Sequence, residues 1–114
     1  MDSTYITVKR GDTLRINFIW TEEISENPLN LTNCTARLHL KNARTKELLI
    51  DANTENGLLT IEGLTGTIQL NVPAEDMENV PIGRHIFDLE LTFTDGSVLS
   101  SETRTIEIIQ DITT

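Results

Sequence analysis

The chain has 114 residues, a net charge of −9 from 18 acidic and 9 basic side chains, 38% apolar residues and one cysteine. That length predicts a single domain, residues 1–114, large enough to bury a core without disulfides or metal. The acidic balance weighs against nucleic acid and against anionic membrane as partners, because both are gripped by clustered Lys and Arg, and a lone Cys34 cannot form an internal disulfide.

The start, Met1-Asp2-Ser3-Thr4-Tyr5, has no basic residue followed by an apolar run, so no signal peptide is expected. No apolar stretch approaches membrane-spanning length. The expectation is a cytoplasmic product, or a particle component assembled in the cytoplasm. The acidic residues are dispersed, without the regular rows a DNA mimic would need.

The first strand is predicted over residues 5–9, and Gly11-Asp12 breaks it. The second covers 13–21, where Leu14, Ile16, Phe18 and Trp20 share one parity. Alternation of this kind gives one buried and one wet face. Trp20 completes the stripe and is expected to be mostly buried. Residues 22–33 are polar, contain Pro28 and form the longest loop. A third strand, 34–42, turns Ala36, Leu38 and Leu40 inward, and a turn at 43–46 leads to a short strand over 47–51. Residues 53–57 have turn composition.

Residues 58–62 and 66–72 flank Gly63-Leu64-Thr65 as a hairpin with Ile68, Leu70 and Val72 inward. Between Pro73 and Pro81 a single acidic helical turn is expected, with Met77 and Val80 plugging one end of the core. A long strand over 84–94 carries Phe87, Leu89, Leu91 and Phe93 on one parity. Asp95-Gly96 is the strongest hairpin signal. The last strand runs from 97 to 109 before a frayed tail at 111–114. Its parity conflicts: Ser100, Glu102 and Arg104 lie between Val98 and Ile106 on one face. A bulge or strand kink near 100–103 would resolve this. About eight short strands with frequent turns make the fold all-β, a single antiparallel β-sandwich.

The chemistry laid over this frame is sparse. His39 shares the parity of Arg37 and Lys41 and should face solvent, whereas His85 shares that of Phe87 and points inward. No His/Cys/Asp spacing fits zinc. Cys34 and His39 are an odd number of residues apart, so one strand puts them on opposite faces, and Cys34 reads as a small buried apolar residue. No Gly-x-Ser-x-Gly elbow occurs, and Gly63-Leu64-Thr65-Gly66 lacks the lysine and helix of a phosphate loop. Asn30-Leu31-Thr32 and Asn33-Cys34-Thr35 match the glycosylation pattern, which means little without a secretory signal. Neither Glu22, Glu23 and Glu26 nor Glu75, Asp76 and Glu78 has calcium-loop spacing. No catalytic, cofactor-binding or metal residue is therefore expected. On the wet face, Arg37 and Lys41 are expected to pair with Asp88 and Glu90 across neighbouring strands, at roughly 0.2–1 kcal/mol per pair.

Several segments together carry a resemblance. They are Tyr5-Ile6-Thr7-Val8-Lys9-Arg10-Gly11-Asp12-Thr13 continuing to Trp20, Asn30-Leu31-Thr32-Asn33-Cys34-Thr35-Ala36-Arg37-Leu38, Asn56-Gly57 to Ile61, Gly66-Thr67-Ile68, and Pro81-Ile82-Gly83-Arg84-His85-Ile86-Phe87-Asp88-Leu89-Glu90-Leu91. Spanning most of the chain, they resemble small immunoglobulin-like β-sandwich proteins encoded in tail and baseplate regions of bacteriophages and prophages. The resemblance implies a non-enzymatic virion module with no catalytic residues. Its partners would be other phage structural proteins and copies of itself, met through the 22–33 loop, the first strand and residues 109–114. Such domains usually carry an aromatic residue where His85 stands, in the tyrosine corner. A carbohydrate- or host-surface-binding module and a capsid decoration protein are the alternatives. For the former, only Trp20 and Tyr5 offer stacking surface, and Trp20 has core parity.

Overall fold

Alternating side chains build two sheets facing one another in the computed structural model, which describes residues 5–21, 27, 29–101 and 103–110. The strands are β1 (Tyr5–Lys9), β2 (Leu14–Ile19), β3 (Thr35–Asn42), β4 (Leu48–Asn53), β5 (Leu59–Glu62), β6 (Thr67–Val72), β7 (Gly83–Thr92), β8 (Val98–Ser100) and β9 (Arg104–Ile109), with one helical turn, α1 (Ala74–Met77). One sheet has the order β1-β9-β7-β3-β4, with β8 also on β7, and the other is β2-β6-β5. This is an all-β sandwich of two facing sheets.

Its core is the set of residues that alternation turns inward. Phe18, Leu38, Leu40, Leu59, Ile68, Leu70, Phe87, Leu89, Leu91, Ile106 and Ile108 are all buried. Each full burial stabilises the fold by roughly 1.5–3 kcal/mol. Phe18 and Phe87 join the two sheets edge to face, with centroids 6.3 Å apart. Met77 and Val80 are buried beside α1, as the plug between the two prolines required.

Most strand pairs are antiparallel, but β1 runs parallel to β9, with Tyr5 opposite Thr105 and Lys9 opposite Ile109. Parity assigns faces, not directions, so the sequence pattern could not distinguish this pair. The sequence's parity conflict is resolved by a bulge. Glu90 opposes Ser100, whereas Phe87 opposes Arg104, so three residues of the return strand face two of β7. The Leu89 N–H donates to the Ser101 hydroxyl at 2.9 Å, and the Leu89 carbonyl accepts from the Ser101 N–H at 2.8 Å. Beyond the bulge the inward parity is reversed, which puts Arg104, Ile106 and Ile108 on the core side. The Arg104 guanidinium lies 5.6 Å from the Phe18 ring centroid, which lets a cation stand at the sandwich margin.

Trp20 is only half-buried, short of the burial its stripe suggested. The β2 ladder ends at Ile19, and the Trp20 backbone turns away to accept from Leu29 N–H and donate to the Gly66 carbonyl, both at 2.9 Å. Its indole therefore packs at the rim of the core. The 22–33 segment is not wholly free of the core either. Leu31 is fully buried, and its N–H donates to Gly63 at 2.8 Å. Gly66 is the pivot of this contact: with φ +65, it brings the backbones of residues 20 and 29 so close that a Cβ would lie 2.4 Å from the Trp20 carbonyl oxygen. Glu22, Glu23, Glu26, Pro28, Glu102, the 111–114 tail and the Tyr5 side chain lie outside the described residues.

Candidate functional site

Two outer faces and one buried corner hold the side chains that could act. The corner is His85. It is the third residue of β7, is fully buried, and its Nε2 lies 2.7 Å from the Pro81 carbonyl. A carbonyl only accepts, so Nε2 carries the proton and Nδ1, also buried, has no partner. The ring thus ties a strand to the backbone four residues upstream, the job a tyrosine does at the corresponding corner of immunoglobulin-like domains. This is a structural role, remote from any open surface.

The outer face of the larger sheet is charged. Arg37 opposes Glu90 and His39 opposes Asp88, so β3 and β7 are neighbours as the charge pattern suggested. The expected pairing is nevertheless not formed among the described residues. Arg37 Nε lies 3.9 Å from Asp51 Oδ1, and His39 Nε2 lies 3.3 Å from the same oxygen, out of hydrogen-bond alignment. Lys41 stands one row further on, opposite Ile86. Asp51 escaped the sequence reading because its strand, β4, flanks β3 on the side away from β7. His39 is half-buried by these neighbours instead of freely solvated. A shallow depression of about 200 Å3 lies beside it, lined by Lys41, Lys46, Asp88 and Thr103.

The outer face of the smaller sheet is different. Register aligns Asn17, Gln69 and Thr60 in one row, with Ile19, Thr67 and Glu62 in the row on one side and Arg15 and Asn71 in the row on the other. Its depression, of about 350 Å3, is lined by Asn17, Thr60, Glu62, Thr67 and Gln69. These residues all have wet parity in the sequence, but only the strand order brings them together.

The remaining candidates stay apart. Cys34 is half-buried just before β3; burial pushes its thiol up, the charge of Asp95 acts the same way, and the thiol donates weakly to the Thr32 carbonyl at 4.0 Å. A thiol held protonated is a poor nucleophile. Asp95 accepts from the Ser97 hydroxyl at 2.6 Å and the Ser97 N–H at 2.8 Å, which hold its carboxyl below the usual range. Glu75 and Asp76 lie in the first turn of α1, with Glu78 at its end. Among the described residues, no group of three or more His, Cys, Asp or Glu is placed to hold a metal, and no helix is long and apolar enough to cross a membrane.

No protein-family model matches the sequence, and no curated protein matches it. Solved structures do resemble the fold. CopC from Methylosinus trichosporium OB3b aligns with 96% of this chain and 90% of its own, at a TM-score of 0.51 and 10% identity. Murine CRIg aligns with 95% of this chain and 92% of its own, at a TM-score of 0.41 and 11% identity. Extracellular domains 3–5 of Drosophila OTK align over 94% of this chain and 32% of theirs, at a TM-score of 0.43 and 15% identity. At such identities the CopC likeness speaks to the fold alone, and it agrees with the strand order: the chain is an immunoglobulin-like β-sandwich.

Proposed function

We propose that this sandwich is a non-enzymatic structural subunit or adaptor of a phage particle, in the tail or baseplate, acting by protein–protein docking. The observation that carries the reading is where exposed apolar side chains fall. Ile19 and Leu48 end or begin a strand, Leu64 and Ile82 lie in connections, and Val98 and Leu99 sit on a three-residue strand, instead of lining an enclosed pocket. Val98 and Leu99 sit on β8, whose side away from β7 has no partner strand among the described residues. Edges and apolar rims of this kind are where a neighbouring protein can add contacts without disturbing a core. The resemblance of the sequence to phage tail and baseplate sandwiches supplies the setting.

The reading is tested by mass spectrometry of purified virions. The protein should be found at stoichiometric copy number, and Val98→Asp with Leu99→Asp should lower its incorporation while leaving the isolated domain folded. Absence from virions would refute the assignment.

A further inference from the structure

The outer face of the larger sheet changes sign along its strands. Outward residues stand in rows across β4, β3 and β7: Asp51, His39 and Asp88 in one, then Leu48, Lys41 and Ile86 in the next. From the first row toward the start of β3 come Arg37 and Glu90, then Val98 on β8, with Glu55 and Asp95 in the turns at that end. From the second row toward the end of β3 come Ala43 beside Arg84, Arg44 and Lys46 in the turn, and exposed Ile82. One half thus sets five carboxylates against Arg37, and the other sets four cations against Glu47 and Glu107. In a chain with twice as many acidic as basic side chains, the second half is a local reversal.

A surface that fits this face carries both signs at the same separation and in reverse order. The face itself meets that description. Take a half-turn about an axis lying in the face, across the strands and between the His39 and Lys41 rows. It inverts strand direction. Asp51 and Asp88 of each copy then lie over the Lys41 row of the other, Glu90 over the Arg84 row, and Val98 toward Ile82. Each attractive contact forms twice, because in a twofold interface residue i meets j and j meets i. Apolar side chains fall inside the same face: Leu48, Ile82 and Val98 are exposed and Ile86 is half-buried. The area is sufficient. Five strands about 4.8 Å apart, along eight residues of about 3.3 Å each, cover roughly 600 Å2. Two copies together then bury about 1,200 Å2, which reaches the range of specific interfaces.

We propose that the outer face of the larger sheet is a self-complementary contact on which a second copy of this chain docks, strands antiparallel, as a twofold dimer. Charge sets the orientation: an axis along the strands would lay acidic half on acidic half and cationic on cationic, which is repulsive. Each copy is strongly acidic overall, so the attraction is local and the affinity modest. The proposal does not rest on the particle assignment, since two copies can meet whatever carries them.

The full chain is followed by sedimentation velocity from micromolar to millimolar concentration in low salt. Its mass should rise toward twice the 12.8 kDa of one copy and stop there. Lys41→Glu with Arg44→Glu reverses one half of the face, and Asp88→Lys with Glu90→Lys reverses the other. Each pair alone should weaken self-association at least tenfold at an unchanged thermal midpoint. Mixed one to one, the two variants restore both contacts of the dimer and should associate within a few-fold of the wild type, although both remain acidic overall. The neutral pairs Lys41→Gln with Arg44→Gln and Asp88→Asn with Glu90→Gln should act in the same direction by several-fold, and they carry the test if a reversal perturbs folding. In 15N spectra, signals of Lys41, Ile86, Asp88 and Glu90 should move with protein concentration while those of Asn17, Thr60 and Gln69 stay in place. The proposal is overturned if the wild type stays monomeric at millimolar concentration, if the variants associate as it does, or if folded variants fail to rescue one another. It is equally overturned if assemblies grow beyond two copies, which would make the contact head to tail.

Discussion

The two outer faces of the sandwich come from one rule and end in opposite chemistry. On the larger sheet, wet positions carry Arg37, His39, Asp51, Asp88 and Glu90, most of them charged. On the smaller, they carry Asn17, Thr60, Thr67, Gln69 and Asn71, with charge only at Arg15 and Glu62. The inward faces hardly differ, since both are aliphatic with one or two aromatics. Packing therefore dictates the inside and leaves the outside open to other demands. A charged face interacts with its surroundings through its ions, while a neutral polar face offers hydrogen-bonding groups with little net field.

The comparison can be broken most severely from inside. Phe87→Ala removes a buried ring that joins the sheets through Phe18. It should cost about 3–5 kcal/mol by urea denaturation, and both faces should then lose their NMR dispersion together. Loss confined to one sheet would mean that the two do not fold as a unit. His85→Ala deletes a buried ring and strands the Pro81 carbonyl. About 1–3 kcal/mol is expected, read from the same midpoint, with no change in the spectrum of the neutral face.

Smaller effects distinguish the faces themselves. Asp51→Ala removes the carboxylate beside exposed Arg37 and half-buried His39, so a loss of about 0–1 kcal/mol is expected. That loss should shrink in high salt, because exposed charges are screened. Gln69→Ala on the other face should change stability by about 0.5 kcal/mol or less, with no salt dependence. Equal salt dependence for both would erase the contrast. Smallest is Asp95. Its carboxyl is depressed by the Ser97 donors, so the turn's contribution is present above the ordinary aspartate range and fades as pH falls through the depressed value. An NMR titration should show Asp95 protonating later on acidification than an unperturbed aspartate, and Ser97→Ala should return it toward the usual range.

Alternation in the sequence marked nearly every strand, because one buried face per strand leaves a parity record. It marked the hairpin at Asp95-Gly96 and the plug of Met77 and Val80 for equally local reasons. What it could not carry is partner choice. Asp51 belongs with Arg37 only because β4 joins β3, and Asn17 meets Gln69 and Thr60 only because β6 lies between β2 and β5. Parity says nothing of these adjacencies, nor of the direction in which β1 meets β9. Trp20 misled for another reason. Its stripe continued beyond the point where the ladder stops, and a backbone diverted to Gly66 and Leu29 no longer aims the side chain as a strand would. A break in the last strand, by a bulge or a kink, was legible in the parity conflict, but not which of the two, nor the role of the Ser101 hydroxyl, since a serine at a strand break has many alternatives.

The parallel pairing of β1 with β9 has a mechanical consequence. Tyr5 lies at one end of that five-pair ladder and Ile109 at the other. Traction applied to those two points in opposite directions runs along the strands, so every hydrogen bond between them is loaded at once and in shear. An antiparallel pair pulled from one end would instead open like a zipper, one bond after another. Held in line by Tyr5 and Ile109, the sandwich is therefore a stiff link rather than a hinge, and it yields only when the whole ladder slips.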